Sequence, residues 1–291
     1  MDNLTHHIIE IPEKGILKYI PKELAFCNND EFRDVAQLLF SWQMGSISYQ
    51  EFRVQAIYAL LNLKPGKRKI NQIELENAFS NIERISYLMD SFFIETKDKN
   101  RQIKLNLIEN PVPKIKPALL NISGPKARFT NTTFGQYEDA SHAYQMFYRT
   151  SDVKYLWNLM AIYYQEPQRH QTKFIEKKAA YYKKYVDPAL AYAFFLFFDA
   201  FQNYVTSSKV IWESKQIDLS ILFKSDSTIK SDLPGLGTKS LAFHISKSGI
   251  MGNLEHTRKQ PLWEVLLLLY DLRKTELDEA KAIKANQKSN P

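Results

Sequence analysis

The alternation of apolar and polar positions divides the chain into stretches of helical period, and one of them is apolar on every face. It occupies residues 187 to 206. Leu190, Phe194, Phe197, Phe201 and Tyr204 recur at spacings of three or four. Phe195, Leu196 and Phe198 make the remaining faces apolar as well, so the first half is predicted to be surrounded by protein. Asp187 followed by Pro188 supplies an N-cap and a first helical position, where the missing proline N–H costs nothing. Only residues 189 to 198 pass before Asp199 interrupts. That is well short of the roughly 20 apolar residues that cross a bilayer, so the pattern predicts a core helix over 188–206 and no membrane span. Asp199, Gln202 and Asn203 fall in its second half, which is expected to approach the surface and to be where partners dock.

Around this run the pattern predicts helical hairpins. Phe32, Val35, Ala36, Leu39 and Phe40 form a full stripe, with Asn29 as the expected cap and Gly45 as the stop. Ser48 and Glu51 have capping-box spacing and predict a second helix to about Leu63, antiparallel to the first. Asn71 with Glu74 opens a third, through Leu75, Ala78, Ile82, Ile85 and Leu88. Thr133 with Gln136 opens a fourth, carrying Ala140, Ala143, Tyr144, Phe147 and Tyr148. Ser151-Asp152 is expected to cap a fifth, through Leu156, Leu159, Met160 and Tyr163. Gln260-Pro261 opens a last helix through Leu262, Val265, Leu266, Leu269 and Leu272. Beyond Thr275 the apolar residues thin, and the tail is expected to fray.

Prolines and period-two stretches mark the rest. Residues 7 to 12 and 16 to 21 each stop at a proline and read as an extended arm or edge strand. Residues 91–95 and 103–108 suggest a β-hairpin, and Pro111, Pro113 and Pro117 keep the chain extended to Gly124. Residues 64–69 form a basic loop, residues 207–260 are mixed, and 225–237 read as a polar loop. The expectation is a mainly α protein: a multi-helix globular fold of helical hairpins packed on a central buried helix, with a small β-hairpin insertion. The expected divisions are an N-terminal helical lobe with an extended arm (1–94), a β or extended insertion (95–132), a C-terminal helical lobe (133–275) and a frayed tail (276–291).

Composition narrows the class without overturning this picture. The 291 residues are 44% hydrophobic and 24% charged, as in folded soluble proteins, while 13% aromatic is high. Nine glycines and twelve prolines are few and favour long elements. The formal charge of +7 admits an anionic partner but also serves solubility alone. Cys27 is the only cysteine, which excludes an intrachain disulfide and a cysteine-rich zinc site. The first residues lack a basic segment followed by an apolar stretch, so the expected location is the cytoplasm, or a virion or phage-like particle assembled there.

Candidate chemistry is sparse. Residues 233–240 resemble a phosphate loop, but Thr238 separates Gly237 from Lys239 and no buried strand precedes them. Glu138 and His142 are an i, i+4 pair with Asp139 between them. No second such motif accompanies them, so a surface or cap-proximal pair is expected. Cys27 reads as a small apolar filler. No catalytic, metal or cofactor residue is predicted, and the protein is expected not to be an enzyme. The one suggestive stretch is 169–185, where cations and rings interleave. Lys173, Lys177, Lys178, Lys183 and Lys184 could neutralise phosphates, and Tyr181, Tyr182 and Tyr185 could stack on bases. Glu166 and Glu176 dilute this patch, and nucleic acid is the alternative partner.

Several segments resemble an uncharacterised protein family of Bacteroidetes phages and prophages, encoded near tail structural genes. They are residues 19–24, 47–54 with 60–63, 134–139, 150–156 with 161–163, and 252–255 with 261–266. Each is a packing or capping pattern without a chemical signature. The resemblance implies a protein-interaction role in tail assembly, as an assembly chaperone or minor structural component whose partners are other proteins such as tail components, and it carries over no catalytic residue.

Overall fold

Capping boxes set the starts of four helices, and three of those boxes are legible in the sequence. The computed structural model describes residues 4–11, 15–63, 71–96, 101–207, 209–223 and 238–289. The chain is mainly helical, with small antiparallel two-stranded sheets. It divides into two compact units, one of Met1–Val112 with Val186–Phe197 and the other of Pro113–Tyr185 with Phe198–Pro291. This division splits both the expected 95–132 insertion and the central helix. The basic loop at 64–69 and the polar loop at 225–237 lie outside the described residues.

The first unit starts with β1 (His6–Ile11) and β2 (Ile16–Pro21), which pair antiparallel from His6 opposite Pro21 to Ile11 opposite Ile16. The expected arm is thus a hairpin, whose Ile20 is fully buried. Helix α1 (Asn29–Gln43) is capped by Asn28, one residue earlier than expected. The Asn28 side chain accepts from the Asp30 and Glu31 amides, and Glu31 returns to the Asn28 amide. Helix α2 (Tyr49–Leu60) begins at the Ser48–Glu51 box and packs on α1, burying Phe32, Val35, Ala36 and Leu39 along with Phe52, Ala56 and Ile57. Helix α3 (Gln72–Ser86) has the Asn71–Glu74 box, but the described residues of its apolar stripe are only partly covered. Ala78 is exposed, Ile82 and Ile85 are half-buried, and Phe79 is 60% exposed. Strands β3 (Phe93–Glu95) and β4 (Arg101–Ile103) pair as a hairpin, but the second strand is displaced and shares only Ile103 with the expected 103–108.

Rings fill this unit. Trp42, Tyr49, Phe52 and Phe93 lie with centroids 5.3 to 5.9 Å apart. The Arg53 guanidinium sits 4.0 Å from the Tyr87 ring. Tyr192, from the first half of the central helix, places its ring 5.4 Å from Phe40 and donates its hydroxyl to Gln43. These contacts explain why residues 186–197 complete this unit instead of joining the C-terminal lobe.

The second unit opens with β5 (Lys114–Ile115) and β6 (Ile122–Ser123), a hairpin where the prolines predicted only extended chain. Helix α4 (Phe134–Thr150) starts at the Thr133–Gln136 box and ends on Ser151 in the left-handed region. Ser151 therefore closes α4, and Asp152 alone serves α5 (Lys154–Tyr163) by accepting from the Lys154 amide at 3.0 Å. Helix α6 (Ile175–Tyr182) lies within the basic segment. Helix α7 (Pro188–Ser207) is the central helix, and Asp187 accepts from the Ala189 amide at 2.7 Å as its cap. Residues 191–198 of α7 are at most 2% exposed. Among the described residues no helix is long and apolar enough to cross a membrane.

Beyond α7 the sequence pattern reads least well. Strands β7 (Lys209–Trp212) and β8 (Lys215–Asp218) form a hairpin in the stretch read as mixed, followed by α8 (Thr238–Ser248) and α9 (Leu254–Lys259). The turn between β7 and β8 is Glu213-Ser214, with φ of 45° and 65°. A two-residue turn with both φ positive is where Asn-Gly is favoured, because other residues meet a Cβ clash there. Replacing Glu213-Ser214 by Asn-Gly is expected to stabilise the protein by about 1 kcal/mol in urea unfolding. An unchanged or lower midpoint would contradict this account of the turn.

Helix α10 (Leu262–Ser289) continues through the tail that was expected to fray. Its exposed part carries ion pairs one turn apart, Arg273–Glu276 at 2.9 Å and Lys274–Asp278 at 2.8 Å. Together with good helix formers, these hold the part of the helix beyond Leu269, which buries little.

Candidate functional site

The basic segment is mostly committed to the fold. Tyr182 is buried and donates its hydroxyl to the Tyr164 carbonyl at 2.6 Å; burial pushes its phenol up to about 12. Its ring is not open to a base. Tyr181 is half-buried, donates to the Pro117 carbonyl at 3.4 Å, and lies against the rings of Tyr182 and Tyr185. Lys178 donates to the Gln165 side chain, and burial lowers its pKa. Lys183 sits 5.6 Å from the Trp157 ring and Lys173 5.0 Å from the Phe174 ring. Lys173, Lys177, Lys183, Lys184 and Tyr185 are exposed. The structure therefore leaves a set of surface cations but takes Tyr182 out of the expected stacking surface and engages Lys178, an expected phosphate contact, with Gln165.

The carboxylates of α4, expected at the surface, are instead the centre of a buried ionic network. Helix α9 crosses α4 so closely that a Cβ on Gly135 would stand 2.9 Å from the Arg258 carbonyl oxygen, so only glycine permits the approach. Arg258 then bonds Glu138 through Nη1 and Asp139 through Nη2, the latter at 2.9 Å. Asp139 Oδ2 also accepts from Thr172 Oγ1 at 2.7 Å and pairs with His170 Nε2 at 2.7 Å. Burial raises the Glu138 carboxyl, outweighing its guanidinium partner. Burial also pushes Asp139 upward, but the donors from His170, Arg258 and Thr172 together bring it below its ordinary value.

An Asp–His pair resembles the orienting half of a hydrolytic triad, yet this one is closed. The other ring nitrogen of His170 faces the Gln165 amide nitrogen at 3.0 Å. That amide is oriented by the carbonyls of Ala161 and Ile162 on one side and by Lys178 on the other. The arrangement suits the tautomer with its proton on Nε2, and it leaves Nδ1 no path to a substrate; the His170 side chain is only 5% exposed. The pair works as a clamp tying residues 165–172 to α4.

A second polar group lies on α7. Asp199 and Gln202, expected near the surface, are buried and bonded internally. Asp199 accepts from Tyr144 and Tyr148, each at 2.7 Å, and from Asn203 at 3.2 Å. Burial raises its carboxyl pKa. Gln202 accepts from Tyr137 and donates to Ser141. Polar residues on an apolar helix here mark hydrogen-bonded core. Beside them is a cleft of ≈ 400 Å³, lined among others by Ser141, Tyr144, Gln145, Asn203, Thr206 and Leu241, and among the described residues no ionised side chain lines it.

The remaining candidates stand apart from these groups. His142 is exposed, and the described part of the phosphate-loop look-alike, Thr238 to Ser240, is the first turn of α8. Burial, followed by the Glu31 charge, pushes the Cys27 thiol far up, which disfavours the thiolate. Among the described residues no group of three or more His, Cys, Asp or Glu could hold a metal ion.

Arg258 and His170 were invisible to sequence reasoning as members of a cluster, since they lie 119 and 31 residues from Asp139. Only the oddity of two adjacent carboxylates on a helix, with apolar Ala140 following, offered a signal. Comparison with protein-family models, with characterised proteins and with solved structures finds no match for this chain.

Proposed function

We propose that this chain is a non-enzymatic protein-interaction protein acting in phage or prophage tail assembly, as an assembly chaperone or minor structural component. The observation that carries the interaction reading is the apolar stripe of α3. Ala78 and Phe79 are exposed, Ile82 is half-buried, and Phe79 leaves 60% of its surface to solvent. An apolar helical stripe that its own fold does not cover is a surface for a partner. The closed Asp139–His170 pair supports the non-enzymatic part, and the resemblance of the scattered capping segments supports the tail-assembly part. In this reading each helical hairpin is built on its own half of the central helix, leaving α3 free to dock.

Phe79→Asp tests it. Because the ring is largely exposed, unfolding free energy is expected to stay within about 0.5 kcal/mol of the parent. Recovery of tail proteins from particle-producing cells on the immobilised chain is expected to be lost. Equal recovery of the same tail proteins by both forms would refute this surface. The nucleic-acid alternative now rests on the exposed Lys173, Lys177, Lys183 and Lys184, and its signature is filter binding that falls steeply with salt.

A further inference from the structure

The β5–β6 hairpin carries an exposed apolar tip, and α6, tied to the hairpin through Tyr181, carries exposed lysines. The turn between the strands, residues 116–121, carries Leu119 at 101% and Leu120 at 53% exposure. Ala118 adopts φ 54°, a conformation a non-glycine residue holds only under constraint, and it turns the two leucines outward. The hairpin is not loose. Ile115 is 2% exposed, the Gly124 amide donates to the Pro113 carbonyl at 2.9 Å, and Tyr181 of α6 donates to the Pro117 carbonyl.

That last bond fixes which face of α6 accompanies the tip. Lys177 is one turn before Tyr181 on the same face. Lys184 follows in a turn closed by its amide on the Tyr181 carbonyl, and Tyr185, 51% exposed, sets its ring 5.0 Å from that of Tyr181 at a tilt of 53°. Lys114 and Lys116 are exposed on the hairpin itself. In the sequence around the hairpin and α6, the exposed lysines Lys114, Lys116, Lys177, Lys183 and Lys184 outnumber the exposed acids Glu109, Glu176 and Asp187.

We infer that this face docks on an anionic lipid surface, with Leu119 and Leu120 entering the headgroup boundary and Lys114, Lys116, Lys177 and Lys184 meeting lipid phosphates and carboxylates. Charge complementarity selects the occupant. Two leucines on a convex tip are too little apolar area for a protein interface, which needs about 1,000 Å² in total. They are sufficient for shallow insertion when a basic surface holds the protein against the bilayer. Nucleic acid would use the lysines but has no place for two exposed leucines, and the ring of Tyr182, which would stack on bases, is buried.

Flotation of the full chain with vesicles tests this, using phosphatidylcholine alone and phosphatidylcholine with phosphatidylserine. Binding is expected only to the anionic vesicles and to fall as salt rises. Leu119→Ser with Leu120→Ser, and separately Lys177→Gln with Lys184→Gln, should each reduce partitioning by about tenfold. Both pairs are exposed, and unchanged thermal unfolding serves as the control for folding. In a Leu119→Trp variant, lipids brominated near the headgroup boundary should quench fluorescence beyond the quenching in the parent. Equal binding to neutral vesicles, or no vesicle binding at all, overturns the inference. So does binding to single-stranded nucleic acid that depends on the lysines and ignores the leucines while vesicles stay unbound.

Discussion

Replacing Arg258 by methionine is expected to lower the unfolding free energy at neutral pH by about 3 kcal/mol, at the lower end of the range for breaking a buried ion pair. Methionine keeps the packing of the long side chain and removes only the charge and its donors. Glu138 and Asp139, with side chains 7% and 12% exposed, would lose their bonded cation, leaving only the charge of Lys239 acting on Glu138. Part of the loss is moderated because Arg258 is itself 23% exposed and water can reach the site.

The sign of the pH dependence follows from the two carboxyls. Asp139 is held below its ordinary value in the fold, so its contribution is present above the unfolded pKa and lost as pH falls through the lowered folded one. Glu138 is raised, so ionising it opposes folding as pH climbs from its unfolded value through the raised one. Without Arg258 the buried Glu138 charge loses its bonded partner while Asp139 keeps its His170 and Thr172 donors, so protonation of Glu138 gives the larger relief. The deficit of the Arg258→Met variant should therefore be largest near pH 7.5 and shrink toward pH 5 in urea unfolding. Adding Glu138→Gln and Asp139→Asn should recover most of it. A deficit below 1 kcal/mol, or one independent of pH, would mean the network is solvated and contributes little.

Phe198→Ala is expected to be at least as damaging, by about 3–5 kcal/mol. Phe198 is fully buried, and its ring lies 5.6 Å from Phe129, 5.6 Å from Tyr144, 5.7 Å from Tyr163 and 6.4 Å from Tyr137. Truncation removes one partner from five aromatic contacts at once, Phe201 at 6.5 Å included, and leaves a cavity walled by stiff rings, four of them on three other segments. Those walls cannot collapse easily, which puts the loss at the high end for a phenylalanine. Phe198→Leu, which keeps most of the volume, should lose less than about 1.5 kcal/mol. Similar losses for the two variants would show that the surrounding rings relax freely and that the ring contacts carry no special weight.

The helix starts were legible because a capping box is local. Ser48 with Glu51, Asn71 with Glu74 and Thr133 with Gln136 each close within four residues, and all three form. The one-residue error at Asn29 arose because Asn28 and Asn29 are both good caps, and only Asn28 has Glu31 at the third position. The β7–β8 hairpin was missed because Glu213-Ser214 gives no turn signal, its positive φ values being imposed by strand pairing. The candidate sites failed for a different reason. Asp199 looks like a surface residue until Tyr144 and Tyr148, more than 50 positions away, are known to donate to it. Burial of a polar residue depends on partners that periodicity along one helix cannot name.

Because α7 begins in one unit and ends in the other, the order of synthesis matters. Residues 1–112 leave the ribosome without Tyr192 and its neighbours, so Phe40 and Gln43 have no helix to meet. Residues 113 to 197 must be made first, which takes several seconds at about 5–20 residues per second. The N-terminal unit is therefore a nascent chain that waits, with part of its aromatic core open, for a segment encoded far downstream. Its completion and the start of the second unit's α7 packing arrive on the same stretch of polypeptide, which ties the two folding events together in time.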